Sequence, residues 1–445
     1  MAGGFLDLIQ KAAPDGQYPG DQYGGAAGAD GSGAPTGTAQ NFMFATGIEC
    51  SNPTIQGGRV RRDLLAECGH YDHWQQDLAL VQDLGLKYLR YHLPLHRTFV
   101  GPGRYDWEFA DAAMNEIRRL GLTPILDLMH FGVPDWLGNF QNPELPLHFE
   151  AYAEAVARRY PWVRFYTPIN EIYVTARNSA KDGLWNEELK TDQGFVTAMK
   201  HLCAASILAC QGITRVRSDA IIVQSESAEY LHDASPTPRP DLALMNRLRL
   251  LSLDLLYGVC PDAEVMLYLL DNGLTREEYQ WFMAGEPAGH QIMGSDYYGK
   301  NEHIVHPDGS RTQAEDVLGW REITRTYHER YRKPIFHTET NHFDPDVAPT
   351  WLWKQWVNVL TARKDDMPVL GFTWYSLTDQ IDWDIQLAEQ RGTVNRCGLY
   401  DLSRQPRPVA GAYRDLLSRY GQIPAVPHGE MFEMTREPAR LRVEI

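Results

Sequence analysis

From Asn41 onward the chain alternates short apolar runs with longer stretches whose apolar residues recur every three to four positions. The runs Phe42–Ile48, Tyr88–Leu93, Thr123–Leu128, Arg164–Ile169, Ala220–Gln224, Gln291–Ser295, Pro334–Thr338 and Val369–Trp374 have the length and side chains of buried strands. Between and after them, helical periodicity spans Trp74–Leu84, Phe109–Leu120, Phe149–Tyr160, Phe195–Cys210, Gln313–Tyr331, Trp351–Ala362 and Val409–Tyr420. Eight strands, each followed by a helical segment, predict an α/β chain folded as one closed (β/α)8 TIM barrel over 41–425. No Gly-x-Gly-x-x-Gly follows an early strand, so the usual sign of a dinucleotide site is missing.

Three segments fall outside this rhythm. Ala234–His290 is longer than a crossover needs and is expected to hold extra helices, one spanning about Leu242–Tyr257, that wall one side of the cleft. Residues 1–40 read as a flexible Gly-rich leader, because Pro19–Gln40 has few large apolar groups to offset its ordering entropy. Within it, Phe5-Leu6-x-Leu8-Ile9 has the spacing of a docking helix, but a frayed terminus is the expectation. Residues 426–445 read as a tail along the barrel exterior.

Charge narrows the partners. Of 445 residues, 42 are Lys or Arg and 58 are Asp or Glu, a net charge of −16 that argues against nucleic acid and anionic membrane surfaces. Neutral or cationic ligands are easier to accept. The six cysteines are scattered without Cys-x-x-Cys pairing, which favours reduced, buried thiols. With no signal peptide or membrane span in the pattern, a cytoplasmic protein is expected, and homo-oligomerisation stays open.

In a barrel of this kind, chemistry sits where strands end. Arg90, His92, Asp127, His130, Asn170, Glu171, Asp296, Tyr297, Tyr298, Glu339, Trp374 and Tyr375 all fall at such points. Two glutamates stand out, in Thr167-Pro168-Ile169-Asn170-Glu171 and His337-Thr338-Glu339-Thr340-Asn341. Two carboxyls at one rim suit glycosidic bond cleavage: one protonates the leaving oxygen, the other meets the positive charge on the sugar ring.

Thr-x-x-Asn-Glu after a fourth strand and Thr-Glu-x-Asn after a seventh resemble the retaining glycosidases of clan A, and most closely glycoside hydrolase family 1. Five further segments are similar to that family's motifs, in its order: His70–Leu80, Leu89–Arg97, His130–Leu137, Gly294–Tyr298 and Tyr375–Trp383. The resemblance implies a retaining β-glycosidase, β-glucosidase-like, with Glu171 as acid/base and Glu339 as nucleophile. It implies that Arg90 and Tyr298 hold the nucleophile, with adjacent Tyr297 as the alternative after a one-residue slip, that Asn170 binds the 2-hydroxyl and that His130 donates to a glycone hydroxyl. An aromatic platform falls to Tyr375, with Trp374 as the alternative, while Asp382 and Trp383 read the outer hydroxyls. No metal or organic cofactor is implied, and the partner is a carbohydrate.

The chain departs from the family in places. Thr54 stands at the position matched to a glycone-gripping glutamine, Asp382 is one methylene shorter than the family's glutamate, and Phe131 and Asp296 replace a tryptophan and an asparagine. The sugar need not be glucose. Competing readings are an endo-acting glycanase like family 5, a catalytically silent sugar-binding barrel, and a metal-dependent hydrolase using His337, Glu339 and His342 or Asp127 and His130.

Overall fold

The computed structural model describes residues 4–12 and 41–425, except 286 and 315. Eight parallel strands close into a barrel: β1 (Met43–Ile48), β2 (Tyr88–His92), β3 (Thr123–Asp127), β4 (Phe165–Thr167), β5 (Ile221–Ser227), β6 (His290–Asp296), β7 (Ile335–Glu339) and β8 (Val369–Trp374). Each pairs with its neighbours in sequence, and β8 returns to β1 with Trp374 opposite Thr46. All eight expected strands form. β4 stops short of its apolar run because Pro168 has no N–H to give to a ladder.

Strand parity builds the interior in layers. Met43, Ala45, Ile125, Phe165, Ile221, Val223, Ile292, Phe336 and Leu370 make a closed apolar cluster inside the barrel. Two residues onward along the same face the chain turns polar: Gly47 then Glu49 beyond Ala45, Arg90 beyond Tyr88, Asp127 beyond Ile125. Gly371 is required in this packing, since a Cβ there would lie 1.4 Å from the Phe336 ring. The polar layer therefore sits at the C-terminal mouth on a floor that excludes water.

The region after β5 differs from expectation in one detail. The single helix expected over Leu242–Tyr257 is two, Pro240–Leu248 and Leu251–Leu256, followed by Ala263–Asp271 and Arg276–Ala284. A three-stranded sheet of Tyr230–Asp233, Glu302–Val305 and Arg311–Gln313 stands over the β5–β6 side of the mouth. The 25-residue helix Asp192–Val216 is apolar and long enough to cross a membrane, but 83% of its apolar window is buried inside the protein, as a core helix requires.

The N-terminal segment is a docked helix rather than a frayed end. Phe5–Ala12 is helical, with Phe5, Leu6 and Ile9 buried on one face. Phe5 is fully enclosed and meets His201, Trp281 and Phe282 at ring distances of 5.7, 5.8 and 6.0 Å. Truncating a buried Phe costs roughly 3–5 kcal/mol, more than so short a helix can recover from propensity. In Phe5→Ala, hydrogen exchange should lose protection over 5–12 while the barrel strands stay protected. Unchanged protection at 5–12 would show that the ring does not hold the helix. The glycine-rich stretch and the C-terminal tail expected at 426–445 lie outside the described residues.

The six cysteines are unpaired, and five are buried as expected; Cys260 is exposed.

Candidate active site

Arg90 on β2 is the hub of the mouth. Its Nε lies 2.9 Å from Glu49 Oε1, its Nη1 donates to Glu339 Oε1 at 2.7 Å and to the Thr338 carbonyl at 2.9 Å, and its Nη2 donates to Asn170 Oδ1 at 3.0 Å. The guanidinium is wholly buried, and the Glu49 and Glu339 charges outweigh burial to hold its pKa above its ordinary value. A planar fork with several fixed donors can brace separate groups in this way.

Glu339 reaches the interior through an irregular strand. Alternation from Phe336 and Thr338 would send residue 339 to the outer face. Instead β7 gains a residue against β6: Gly294 pairs with Phe336, but Asp296 pairs with Glu339. This bulge re-aims the carboxylate. Its second oxygen, Oε2, accepts from the Tyr298 hydroxyl at 2.6 Å. Tyr297 points elsewhere and donates to Glu302 at 2.7 Å, which resolves the choice between the two tyrosines.

Glu171 sits where the chain leaves β4, at φ 41° and ψ 64°. A left-handed glutamate carries strain, and the neighbours fix it. The Asn170 and Glu171 N–H groups donate to Met129 O and Ser225 O at 2.9 and 3.0 Å. The Glu226 carboxylate accepts from the next two N–H groups, of Ile172 and Tyr173. Burial raises the Glu171 pKa well above the carboxylate range, and the Asp296 and Glu339 charges push the same way. Burial likewise raises Glu49 and Asp296. Burial opposes ionisation of Asp127 too, but the His130 imidazole overcomes it and holds that carboxyl at about 2. Crowded acids over one arginine are thus shifted in opposite directions, Glu49, Glu171 and Asp296 upward and Asp127 downward.

The remaining expected residues fare unequally. Asn170 Oδ1 accepts from Arg90, so its Nδ2 faces His130 Nε2 at 3.3 Å. His130 Nδ1 lies 2.5 Å from Asp127 Oδ2. The Nδ1 side of the ring is thus taken by Asp127, and Nε2 faces the Asn170 amide. Trp374 is not a platform: its ring is in the outer core and its Nε1 donates to Cys397 O at 3.0 Å. Tyr375 lies on the mouth side, against Trp383 at 5.2 Å and so close to Gly47 that a Cβ there would lie 2.6 Å from its ring.

Asp382 does not face the cleft. Its carboxylate accepts from the N–H groups of Arg391, Gly392 and Thr393 and pairs with Arg62 at 3.1 Å. The short side chain, at φ 55°, turns inward to pin that loop. Trp383 does line the cleft. Thr54 lies in a hairpin bonded to Asn186, whereas Asn52 is the amide beside His92 and His96, at 3.5 and 3.2 Å. His337 stacks on Trp320 at 4.5 Å and is not gathered with His342. Glu49, Asp127 and His130 do bring ligand-type atoms within 4.8 Å, but Arg90 already occupies the Glu49 side with its own positive charge.

Sequence reasoning missed Glu49, although parity from Ala45 through Gly47 points to it, and missed Lys300. A cleft of about 670 Å³, counting the space at its mouth, is lined by Glu171, Tyr298, Lys300 and Trp383, with Phe131, Arg177, Trp185 and Glu229 among the others. Arg177 enters from a π-helical turn, Arg177–Lys181, and is paired with Glu229.

The model of glycosyl hydrolase family 1 matches residues 24–256, just over half of the 445-residue chain. Phospho-cellobiase of Klebsiella oxytoca is 21% identical over 407 residues, 81% of this chain and 86% of that protein. Beta-glucosidase A of Thermotoga maritima is 26% identical over 381 residues, 77% and 84% of the two chains. A solved structure of the family 1 beta-glucosidase from Thermotoga maritima superposes with a TM-score of 0.72 at 17% identity, covering 86% of this chain and 98% of that one. The (β/α)8 barrel is common to both, and the chain belongs to glycosyl hydrolase family 1: it is a glycoside hydrolase acting on β-linked carbohydrate.

Proposed function

We propose that the chain hydrolyses β-glycosides with net retention, through Glu339 as nucleophile and Glu171 as acid and then base. The observation that carries this reading is the unequal treatment of two buried carboxyls. Glu339 has both oxygens held by donors, Arg90 and Tyr298, while Glu171 is kept protonated by burial and by its neighbours' charge. In the first step a Glu339 oxygen bonds to the anomeric carbon, the bond to the leaving oxygen breaks, and Glu171 gives that oxygen its proton. In the second, water attacks the anomeric carbon, its proton passes to Glu171, and the Glu339 carboxylate is released.

Asn170, fixed by Arg90 and His130, is placed to bond the 2-hydroxyl as the ring gains charge. Trp383 offers an aromatic face to the glycone site, with Tyr375 packed against it. Relatives are named for phosphorylated as well as neutral glucosides, phospho-cellobiase and beta-glucosidase A among them, so a gluco-configured sugar is the favoured glycone. Unpaired cysteines support a reducing, cytoplasmic setting. Proton NMR during hydrolysis of an aryl β-glycoside tests the reading: the β-anomer of the product should appear first and then mutarotate. An α-anomer formed first would mean direct attack by water and would remove Glu339 from the nucleophile role.

A further inference from the structure

We propose that Lys300 recognises an anionic group carried by the substrate: a phosphate, sulfate or carboxylate held against Trp383 on the wall of the cleft. This deepens the β-glycosidase reading and rests on it. Lys300 lies in the turn Gly299–Asn301, two residues after the tyrosine that bonds Glu339, and its side chain lines the same cleft as Glu171. Three aromatic rings hold its ammonium, those of Trp383, Tyr298 and Phe343, at 4.6, 5.6 and 5.8 Å. Among the described residues no hydrogen bond or ion pair reaches it.

That is unusual company for a cation in this chain. Arg90 and Arg62, buried near the mouth, and Arg177, partly buried like Lys300, each have a carboxylate within ion-pair distance. Ring faces contribute roughly 0.5–2 kcal/mol to a cation and do not replace a counter-ion lost to burial. Burial accordingly depresses the Lys300 pKa. Burial and its carboxyl neighbours favour the neutral form of Glu171, which weakens it as a counter-ion in the free enzyme. Glu229, the other acid of the cleft wall, is committed to Arg177. An anion arriving with the substrate supplies what the protein leaves out.

The overall charge of −16 makes the point sharper. An acidic chain gains nothing at long range from anionic ligands, so one unpaired lysine in the cleft is a local exception, and the charge balance alone pointed to neutral or cationic ligands. The Asp382 carboxylate, next to Trp383 in sequence, is taken up by the loop it pins. His303 lines the wall beyond and adds a ring nitrogen able to bond an anion's oxygen.

The test compares p-nitrophenyl β-D-glucoside, its 6-phosphate, the β-glucuronide and a β-glucoside with a carboxylated aryl aglycone, on wild type, Lys300→Met and Lys300→Arg. Together these arms distinguish an anion on the sugar from one on the leaving group. A charge-assisted contact of this kind is worth about tenfold or more, so one anionic substrate should lead in wild type by that factor and lose it, through KM, in Lys300→Met. Lys300→Arg should keep most of the advantage, and the neutral glucoside should change little in either variant.

Equal losses on neutral and anionic substrates would overturn the proposal and make Lys300 a partner of Glu171 instead. The absence of any anionic preference in wild type would overturn it as well. Should wild type turn over none of the four, the β-glycosidase reading fails separately. Calorimetric binding of glucose 6-phosphate against glucose to the same variants then still decides the lysine's role.

Discussion

Replacing Glu339 by alanine should end turnover on every β-glycoside, activated or not, with kcat falling roughly 10⁵-fold, as expected when a covalent nucleophile is removed. That corresponds to about 7 kcal/mol of transition-state stabilisation. No neighbour can take over. Glu49 is bound to the far side of Arg90, and Asp296 is a buried proton-holder tied to Ser225 at 2.6 Å. The substitution also removes one negative charge from the set that raises Glu49, Glu171 and Asp296, so the fold should not suffer. The space left beside Arg90 and Tyr298 suits a small anion, and added azide should restore part of the rate by attacking the anomeric carbon directly, giving an α-glycosyl azide. Steady-state rates on nitrophenyl glycosides, with and without azide, check both points. Retention of more than about one part in a hundred of wild-type kcat without azide would remove Glu339 from the nucleophile role.

The barrel was legible because its strands are buried on both faces and read as unbroken apolar runs, a signal that needs no tertiary information. Arg90 follows from the same parity, two residues beyond an inward Tyr88. Glu339 does not. Parity puts it outside, and only its motif marked it, because the extra residue in β7 is a property of the pairing with β6 and not of either strand alone. The Tyr297/Tyr298 and Trp374/Tyr375 choices are of the same type, one residue apart and decided by register.

Asp382 misled for a different reason. Its carboxylate is captured by three backbone N–H groups of a loop nine to eleven residues later, and no local pattern announces that closure. The helix at Phe5 has the right amphipathic spacing, yet its docking depends on Trp281 and His201, hundreds of residues away. Lys300 was overlooked because nothing about a lysine in sequence reveals that it will lack a partner.

Glu171→Ala should separate the two steps of the reaction. Glycosides with poor leaving groups need its proton, and their kcat/KM should fall by roughly 10³-fold, within the usual range for a positioned acid. Dinitrophenyl glycosides leave without help and should still glycosylate Glu339, but water then lacks a base, so a burst of phenol should precede a slow steady state. The pH profile carries the sign. A raised pKa means that Glu171 keeps its proton to higher pH than a free carboxyl and loses it as pH climbs through that value, so wild-type kcat/KM should fall on the alkaline side. Glu49 and Asp296 are raised in the same cluster, and an alkaline limb belongs to the coupled set unless a substitution isolates one member. In Glu171→Ala, assayed on dinitrophenyl glycosides, that limb should vanish. If it persists unchanged, the limb belongs to Asp296 or Glu49 and not to Glu171.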